Sequence, residues 1–262
     1  MEEIIDLHVY TNNSVCGHDK ISLLCETAAE KDIRAVAFTD LCRLDKAEDY
    51  DTHRRLRHSF FDVCKAKQLF FGVVSVFAGI EFEQAAANPA AAAAILERQA
   101  YDIVLTSVSR RADGSGFGLR PDMPQADFME FCREYAALLT KTAEETDFDV
   151  LSRPLAPLRQ TNADTAPFED AMHGVLRILA QKGKALELDT RDILGSEKIR
   201  DLYLRLISYF RDCGGTAVTI GSESMFHDEV GSGITLAGAA LRRAGFEQAV
   251  FYDKRIQYPI LL

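Results

Sequence analysis

Two hydrophobic patterns alternate along the whole chain. Short runs rich in apolar, β-branched and aromatic residues predict strands, and they fall at residues 3–8, 34–39, 68–82 with a break near Gly72, 102–108, 147–152, 184–189, 216–222 and 248–253. Between these runs, apolar residues recur at positions i, i+3, i+4 and i+7, which is the spacing of one helix face. This helical spacing is clear over residues 21–28, 128–138, 168–179 and 199–209. The pattern therefore predicts that strands and helices alternate from end to end.

Seven or eight strand–helix units follow one another without a long linker rich in Pro, Gly or Ser. Such an array favours a parallel barrel surrounded by helices, and a chain of 262 residues is long enough for a core of that size. We therefore predict a single α/β domain over residues 1–262, built as a TIM-like barrel. A doubly wound open sheet is the alternative fold.

The charge of the chain narrows the classes of function. The net charge of −10 argues against a nucleic-acid binder, because neutralising phosphates needs a dominant basic face. A local basic cluster, Arg54, Arg55, Arg57 and His58, is interpreted as a solvated helix face. The chain has no apolar run of 18 residues and begins with an acidic stretch. We therefore predict no membrane span and no secretory signal, and expect a cytoplasmic protein.

Polar residues stand at most of the predicted strand ends. In α/β barrels the chemistry is built from residues just past the carboxyl ends of the strands. In chain order these places hold His8 and Tyr10, Asp40, Glu81 and Glu83, Ser109 and Arg110, Arg153, Asp189, and Glu223. The sequence therefore predicts a polar site at one end of the barrel, with carboxylates and arginines and few histidines.

Eight motifs at these strand ends resemble, in their order, the PHP (polymerase and histidinol phosphatase) superfamily. They are DLHVYT (6–11), CGH (16–18), FTDL (38–41), GIEFE (79–83), YDIVLTSVS (101–109), FDVLSRPL (148–155), ALELDT (185–190) and IGSESM (220–225). The similarity is greatest to the histidinol-phosphate phosphatases. This resemblance implies a distorted (β/α)7 barrel whose mouth holds up to three divalent metal ions, usually zinc, manganese or iron. It also implies hydrolysis of a phosphate ester by an activated water.

The resemblance carries over to individual residues only in part. His8, His18 and Glu81 stand at metal-ligand positions, and Glu223 stands where the family has aspartate. Five positions that are histidine in active relatives hold other residues, namely Tyr10, Leu41, Ser109, Arg153 and Met225. Leucine has no lone pair, a thioether suits soft metals, and arginine stays protonated in proteins. We therefore expect no metal, or at most one weakly bound zinc, manganese or iron ion; His8 could instead be a hydrogen-bonded histidine of the mouth.

Three arginines near the strand ends predict an anion site. Arg153 would place a fixed positive charge at the seat of a metal ion, so we expect it, aided by Arg110, to pair with Glu81 or Glu223. Arg159 lies six residues further on, near the place where the resemblance implies an arginine that grips the substrate phosphate; an exposed loop arginine is the alternative. The stretch around Glu187 is interpreted as structural, without chemistry of its own.

Three functional hypotheses follow. The first is a divergent, catalytically impaired relative that has largely lost its metals and binds an anionic or phosphorylated metabolite. The second is a metal-dependent phosphoesterase with a reduced site of His8, His18, Glu81 and Glu223. The third is an unrelated barrel enzyme that uses Glu81 and Glu223 in acid–base catalysis. The sequence assigns no catalytic residue, no oligomeric state, and no nucleic-acid or membrane partner.

Overall fold

The computed structural model describes residues 4–262, and its strands follow the predicted order. They are β1 (Ile5–Val9), β2 (Ala35–Phe38), β3 (Leu41–Arg43), β4 (Ser75–Glu83), β5 (Ile103–Ser107), β6 (Val150–Leu151), β7 (Ala185–Asp189), β8 (Val218–Gly221), β9 (Gln248–Asp253) and β10 (Ile256–Leu261). Each predicted run contains one of them, although the first residue of the run 3–8 lies outside the described residues.

Amphipathic helices cover the outside of these strands. They are α1 (Ile21–Glu30), α2 (Tyr50–Leu69), α3 (Pro89–Arg98), α4 (Gln125–Glu145), α5 (Ala166–Gln181), α6 (Thr190–Leu194), α7 (Glu197–Asp212) and α8 (Ile234–Arg243). Helix α5 illustrates why they pack there, because Phe168, Met172, Val175 and Leu176 recur on one face and are all buried. Among residues 4–262, no helix has the length and hydrophobicity that crossing a membrane requires.

Seven parallel strands form a nearly closed barrel in the order β1, β2, β4, β5, β6, β7, β8. The segment after β8 closes the ring, since Ser224 pairs with Val9 and accepts a hydrogen bond of 3.0 Å from the Tyr10 amide. Strand β3 lies beside the outer end of β4, with Leu41 opposite Glu81. The predicted barrel is therefore confirmed, and the open doubly wound sheet is wrong.

Two details differ from the sequence prediction. The run 68–82 is not one strand, because α2 continues to Leu69 and the strand begins only at Ser75, after a turn in which Gly72 takes a φ of 79°. The run 248–253 is strand β9, but it lies outside the barrel and pairs with β10 in a separate antiparallel hairpin. Strand β10 was missed because Pro259 interrupts it and five of its six residues, Pro259 among them, are exposed.

Candidate functional site

The polar residues at the strand ends converge on the mouth of the barrel. His8, Glu81 and Glu187 lie within strands β1, β4 and β7, and their side chains are buried. Arg153 and Glu223 come just after β6 and β8 with left-handed φ values of 50° and 53°. Such conformations are unfavourable for residues other than glycine and cluster at functional sites. The two turns bring a guanidinium and a carboxylate together in the mouth.

Arg153 is the centre of this arrangement. Its Nε donates a hydrogen bond to Glu81 Oε1 at 2.8 Å, and its Nη1 donates to Glu223 Oε1 at 3.1 Å. The remaining amine, Nη2, donates to Ser107 Oγ at 2.9 Å. The side chain is only 13% exposed. The ion pairs expected for Arg153 are therefore present, and one guanidinium bridges two buried carboxylates.

A chain of hydrogen bonds connects His8 to the same carboxylate. Its Nδ1 lies 2.7 Å from Glu187 Oε1, and its Nε2 lies 2.9 Å from Tyr10 Oη. The Tyr10 hydroxyl in turn donates to Glu81 Oε2 at 2.6 Å. Burial opposes protonation of the imidazole, but Glu187 and Glu81 outweigh it and raise the pKa of His8 well above its usual value. Both ring nitrogens of His8 are therefore engaged, and its surroundings favour the protonated imidazole.

We call His8, Tyr10, Glu81, Arg153 and Glu187 the inner cluster. Burial alone would raise the pKa of Glu81, yet Arg153 and His8 hold it well below the usual range of a carboxyl. Burial, together with the nearby carboxylates, raises the pKa of Tyr10 far above that of a free phenol. The inner cluster thus holds Glu81 ionised between Arg153 and the Tyr10 hydroxyl, and Tyr10 and Glu187 link it to His8.

Arg159 organises the outer part of the mouth. Its three nitrogen groups each meet a carboxylate, with Nε 2.6 Å from Asp192, Nη2 2.6 Å from Asp189 and Nη1 2.8 Å from Glu223. Burial is the main reason that the pKa values of Asp189 and Asp192 are raised, although Arg159 opposes the shift. Arg159 is therefore not a free loop arginine, and Glu223 links it to Arg153.

A cavity of about 890 Å³ opens beside Arg159, and we call it the outer cavity. Arg191 and Lys198 line it together with Asp192. Arg191 pairs with Glu229 at 2.7 Å, whereas Lys198 is exposed and donates to the backbone carbonyls of residues 162 and 163. Asp192 Oδ2 is buried and has no hydrogen-bond partner among the described residues. The outer cavity is thus lined by two cations, and one of them, Lys198, has no carboxylate partner among the described residues.

This geometry agrees with what comparison with known families finds. The family profile of the PHP domain matches residues 6–191, well over half of the chain. The chain belongs to the PHP domain family. All five residues of the inner cluster lie within the matched range. The family predicted from the motifs is therefore confirmed.

Two histidinol-phosphatases are similar to this PHP chain in sequence. A Thermotoga maritima protein named "Probable histidinol-phosphatase" is 28% identical over 127 residues, which are 48% of this chain and 54% of that protein. The histidinol-phosphatase of Lactococcus lactis is 26% identical over 164 residues, which are 60% of both chains. The chain thus spans less than two thirds of the length of either relative.

A solved structure shows the same fold over nearly the whole chain. The histidinol phosphate phosphatase of Lactococcus lactis, complexed with zinc, L-histidinol and phosphate, superposes with a TM-score of 0.85. The superposition covers 98% of this chain and 100% of that one, at 19% sequence identity. At that identity the likeness establishes the PHP barrel and leaves the chemistry of the mouth to its own residues.

Two predicted positions of the PHP site lie on the loop side of the mouth. The ring of His18 is exposed and stacks on Phe226, with ring centroids 4.3 Å apart. Met225 accepts a backbone hydrogen bond from His18 and donates its own amide to Glu229 at 2.8 Å. These contacts hold the loops around residues 18 and 225 together. They do not include the carboxylates of the inner cluster.

The remaining predicted positions surround Glu83 at the edge of β4. Ser109 donates a short hydrogen bond to Glu83, and the Nε of Arg110 lies 4.0 Å from the same carboxylate. Leu41 is half-buried at the start of β3. The help that Arg110 was expected to give Arg153 is therefore not seen, because the ion pair of Arg110 is with Glu83.

Three residues of the site were missed or underrated in the sequence. Glu187 was given no chemistry, yet its Oε1 lies 2.7 Å from His8 Nδ1, and its Oε2 accepts a hydrogen bond of 2.9 Å from the backbone amide of Arg153. Asp192 and Arg191 were not considered at all. The density of charge in the segment ELDTRD (187–192), directly at a strand end, was the available signal.

The donors present at the mouth do not fit a divalent metal. Within residues 4–262, no three His, Cys, Asp or Glu side chains are grouped so that they could hold an ion. The imidazolium of His8 has no free lone pair, and Tyr10 is protonated. Glu81 is occupied by Arg153, Tyr10 and Ser152. A metal ion would need Arg153 to leave and His8 to lose a proton.

The pKa shifts of Glu81 and Glu223 argue against the third hypothesis, in which these two residues act as general acid and base. Burial works against ionisation of Glu223, but Arg153 and Arg159 lower its pKa, as Arg153 and His8 lower that of Glu81. A general acid or base works best with a pKa near the working pH. Both carboxylates are instead held ionised and paired, so they are unsuited to proton transfer in this arrangement.

Proposed function

We propose that this PHP-domain protein binds a small anionic or phosphorylated metabolite at the barrel mouth without a metal cluster. The observation that carries the proposal is the guanidinium of Arg153, which lies between Glu81 and Glu223 with Nε and Nη1 at 2.8 and 3.1 Å. In this proposal Arg153 occupies the seat of a cation in the histidinol-phosphatase relatives. The protein is then a catalytically impaired phosphoesterase relative.

The guanidinium of Arg153 and a divalent metal ion cannot occupy this place together, because both are positively charged. A guanidinium stays protonated in proteins, and it repels a divalent cation strongly at the short distances of this cluster. Displacing Arg153 would leave the carboxylates of Glu81 and Glu223 without their cation. Breaking one buried ion pair costs about 3–5 kcal/mol. The free energy of metal binding would have to offset that cost. It would have to do so at a site whose surroundings favour the protonated form of His8.

The outer cavity is the proposed binding site for the anion. Its volume of about 890 Å³ lies within the range of pockets for small molecules. Arg191 and Lys198 offer charge-assisted hydrogen bonds to an anion, and Lys198 has no carboxylate partner among the described residues. Glu229 also lines the cavity with a side chain that is 36% exposed, and its carboxylate can accept a hydrogen bond from a hydroxyl or amine of the ligand.

The ligands of a related protein suggest the chemical class of the ligand proposed here. The structurally similar Lactococcus lactis enzyme is complexed with L-histidinol and phosphate. A phosphate group would pair with Arg191 and Lys198 in the outer cavity, and an amino alcohol would donate hydrogen bonds to Glu229. We therefore propose a phosphorylated small metabolite that carries a hydrogen-bond donor.

A metal-dependent phosphoesterase with a reduced site is the second candidate. The presence of His8, Glu81 and Glu223 together at the mouth of a PHP barrel favours it. It requires that Arg153 swing out of the mouth when a metal binds. The two candidates therefore differ in metal content and in the place of Arg153.

The test is metal content measured together with ligand binding. We expect the wild-type protein, purified without chelator, to hold far less than one zinc, manganese or iron ion per chain. We also expect no release of phosphate from histidinol phosphate or an aryl phosphate. Calorimetric titration with histidinol phosphate should nevertheless show binding that a chelator does not abolish.

Matched variants sharpen this test. The double variant Tyr10→His/Arg153→His places two imidazoles in the mouth. It should bind more zinc than the wild type. Arg110→His is the control, because Arg110 lies at the edge of the mouth near Glu83 and should gain no zinc. Two or more tightly bound ions in the wild type, or phosphate release that a chelator abolishes, would overturn the proposal in favour of the second candidate.

A further inference from the structure

A second cavity lies on the outside of the barrel, between helices α2 and α3. It encloses about 500 Å³, a size suited to a small ligand, and it shares no lining residue with the outer cavity. We call it the α2–α3 groove. Its floor is apolar, since Leu56 of α2 and Ile95 of α3 are buried there. Nothing in the function proposed above uses it.

One stripe of helix α2 forms a wall of this groove. The stripe consists of Tyr50, Arg54, Arg57, Phe61 and Cys64. These residues follow the four- and three-residue steps of a single helix face, separate from the face that packs on the barrel. The ring of Tyr50 is 76% exposed and that of Phe61 is 58% exposed. Two arginines therefore lie between two exposed aromatic residues along an open wall.

The groove is also basic in a strongly acidic protein. Arg54, Arg57, Arg98 and His53 line it, and its lining includes no aspartate or glutamate, although the chain carries a net charge of −10. Arg57 makes no hydrogen bond or ion pair with any residue in the described part of the chain, and Arg98 Nη1 contacts His53 Nδ1 at 3.3 Å. The exposed Asp51, 3.2 Å from Arg54, partly offsets this charge.

We propose that the α2–α3 groove binds a mononucleotide, with the base against Phe61 and the phosphate on Arg57 and Arg98. Aromatic rings and guanidinium planes stack on the flat faces of bases, and guanidinium groups pair with phosphate through two parallel hydrogen bonds. The net charge of the whole protein opposes binding of a long polyanion, so a single nucleotide fits better than a nucleic-acid strand.

The first experiment is calorimetric titration of the full chain with AMP, adenosine and inorganic phosphate. AMP should bind more tightly than either of its parts, because base and phosphate contact different residues. Arg57→Ala and Phe61→Ala should each weaken AMP binding roughly tenfold. Both residues are exposed, so neither change should disturb folding. Arg55→Ala is the matched control, because Arg55 has the same charge on the same helix but lines a different cavity.

Cys64 provides a second readout inside the groove. It is half-buried and lines the groove, whereas Cys213 is half-buried elsewhere. AMP should slow alkylation of Cys64 by iodoacetamide, measured by mass spectrometry, and leave that of Cys213 unchanged. Unprotected Cys64, an equal loss of binding in Arg55→Ala, or phosphate alone binding as tightly as AMP would overturn the proposal. Tighter binding of a single-stranded oligonucleotide than of AMP would overturn it too, because the groove would then be part of a nucleic-acid surface.

Discussion

The inner cluster and the outer cavity are built from the same strand ends, yet they differ in what they leave free. In the inner cluster, Arg153 is 13% exposed and all three of its nitrogen groups are hydrogen-bonded. In the outer cavity, Arg159 and Arg191 are 30% and 32% exposed, and one oxygen of Asp192 has no partner among the described residues. A saturated cluster stabilises a fold, whereas free donors and acceptors bind ligands.

Glu223 connects the two regions. Its Oε1 accepts from Arg153 at 3.1 Å, and its Oε2 accepts from Arg159 at 2.8 Å. An anion that draws Arg159 towards the outer cavity must compete with this carboxylate. The contrast therefore predicts that changes in the inner cluster act mainly on stability, and changes in the outer cavity mainly on binding.

The largest effect is expected for Arg153→Met. Methionine is long and uncharged, so it leaves Glu81 and Glu223 buried without their cation. We expect a loss of about 3–5 kcal/mol in the free energy of unfolding, as for other broken buried ion pairs. Urea unfolding in the presence of a chelator measures this, and the chelator prevents a metal from replacing the guanidinium.

Arg110→Met is the matched control for this change. Arg110 has a weaker contact, 4.0 Å from Glu83, and its side chain is 36% exposed. Its replacement should change the free energy of unfolding by no more than about 0.5 kcal/mol. Equal losses in the two variants would contradict the view that the inner cluster is a structural unit.

A smaller effect is expected for Tyr10→Phe. The change removes only the hydroxyl that joins His8 Nε2 to Glu81 Oε2, and it keeps the ring in place. A buried polar group that loses its partner costs about 1–3 kcal/mol, and His8 Nε2 can still reach Glu81 at 3.3 Å, so we expect the lower end. The same urea titration reports it. An unchanged midpoint would show that the hydroxyl does not contribute to the inner cluster.

The smallest effect on stability is expected for Lys198→Ala in the outer cavity. Lys198 is exposed, so the free energy of unfolding should change by no more than about 0.5 kcal/mol. Removing one charge-assisted hydrogen bond should nevertheless weaken the binding of histidinol phosphate roughly tenfold. Calorimetry of the variant measures this. If Lys198→Ala instead lowered the free energy of unfolding strongly and left the affinity for histidinol phosphate unchanged, the outer cavity would be a structural region and not a binding site.

Sequence reasoning reached some residues of the site and not others, for physical reasons. Arg153 could be placed because its strand-end position and its fixed charge demand a nearby carboxylate. Arg110 stands at a strand end as well, but its partner is Glu83, and that choice depends on side-chain geometry. Asp192 lies on the short helix α6, and its approach to Arg159 depends on the path of two separate loops. Such contacts join residues far apart in sequence and leave no local pattern.

The sequence by itself determined the alternation of strands and helices, the PHP family, and the unusual residues at the strand ends. It could do so because hydrophobic periodicity and ordered motifs are local properties of the chain. Only the tertiary structure decided which charges meet. The closing contact of Ser224 with Val9 brings Glu223 beside Arg153 and Arg159, across 70 and 64 residues of sequence. Ion pairing depends steeply on distance and burial, and those exist only once the barrel has closed.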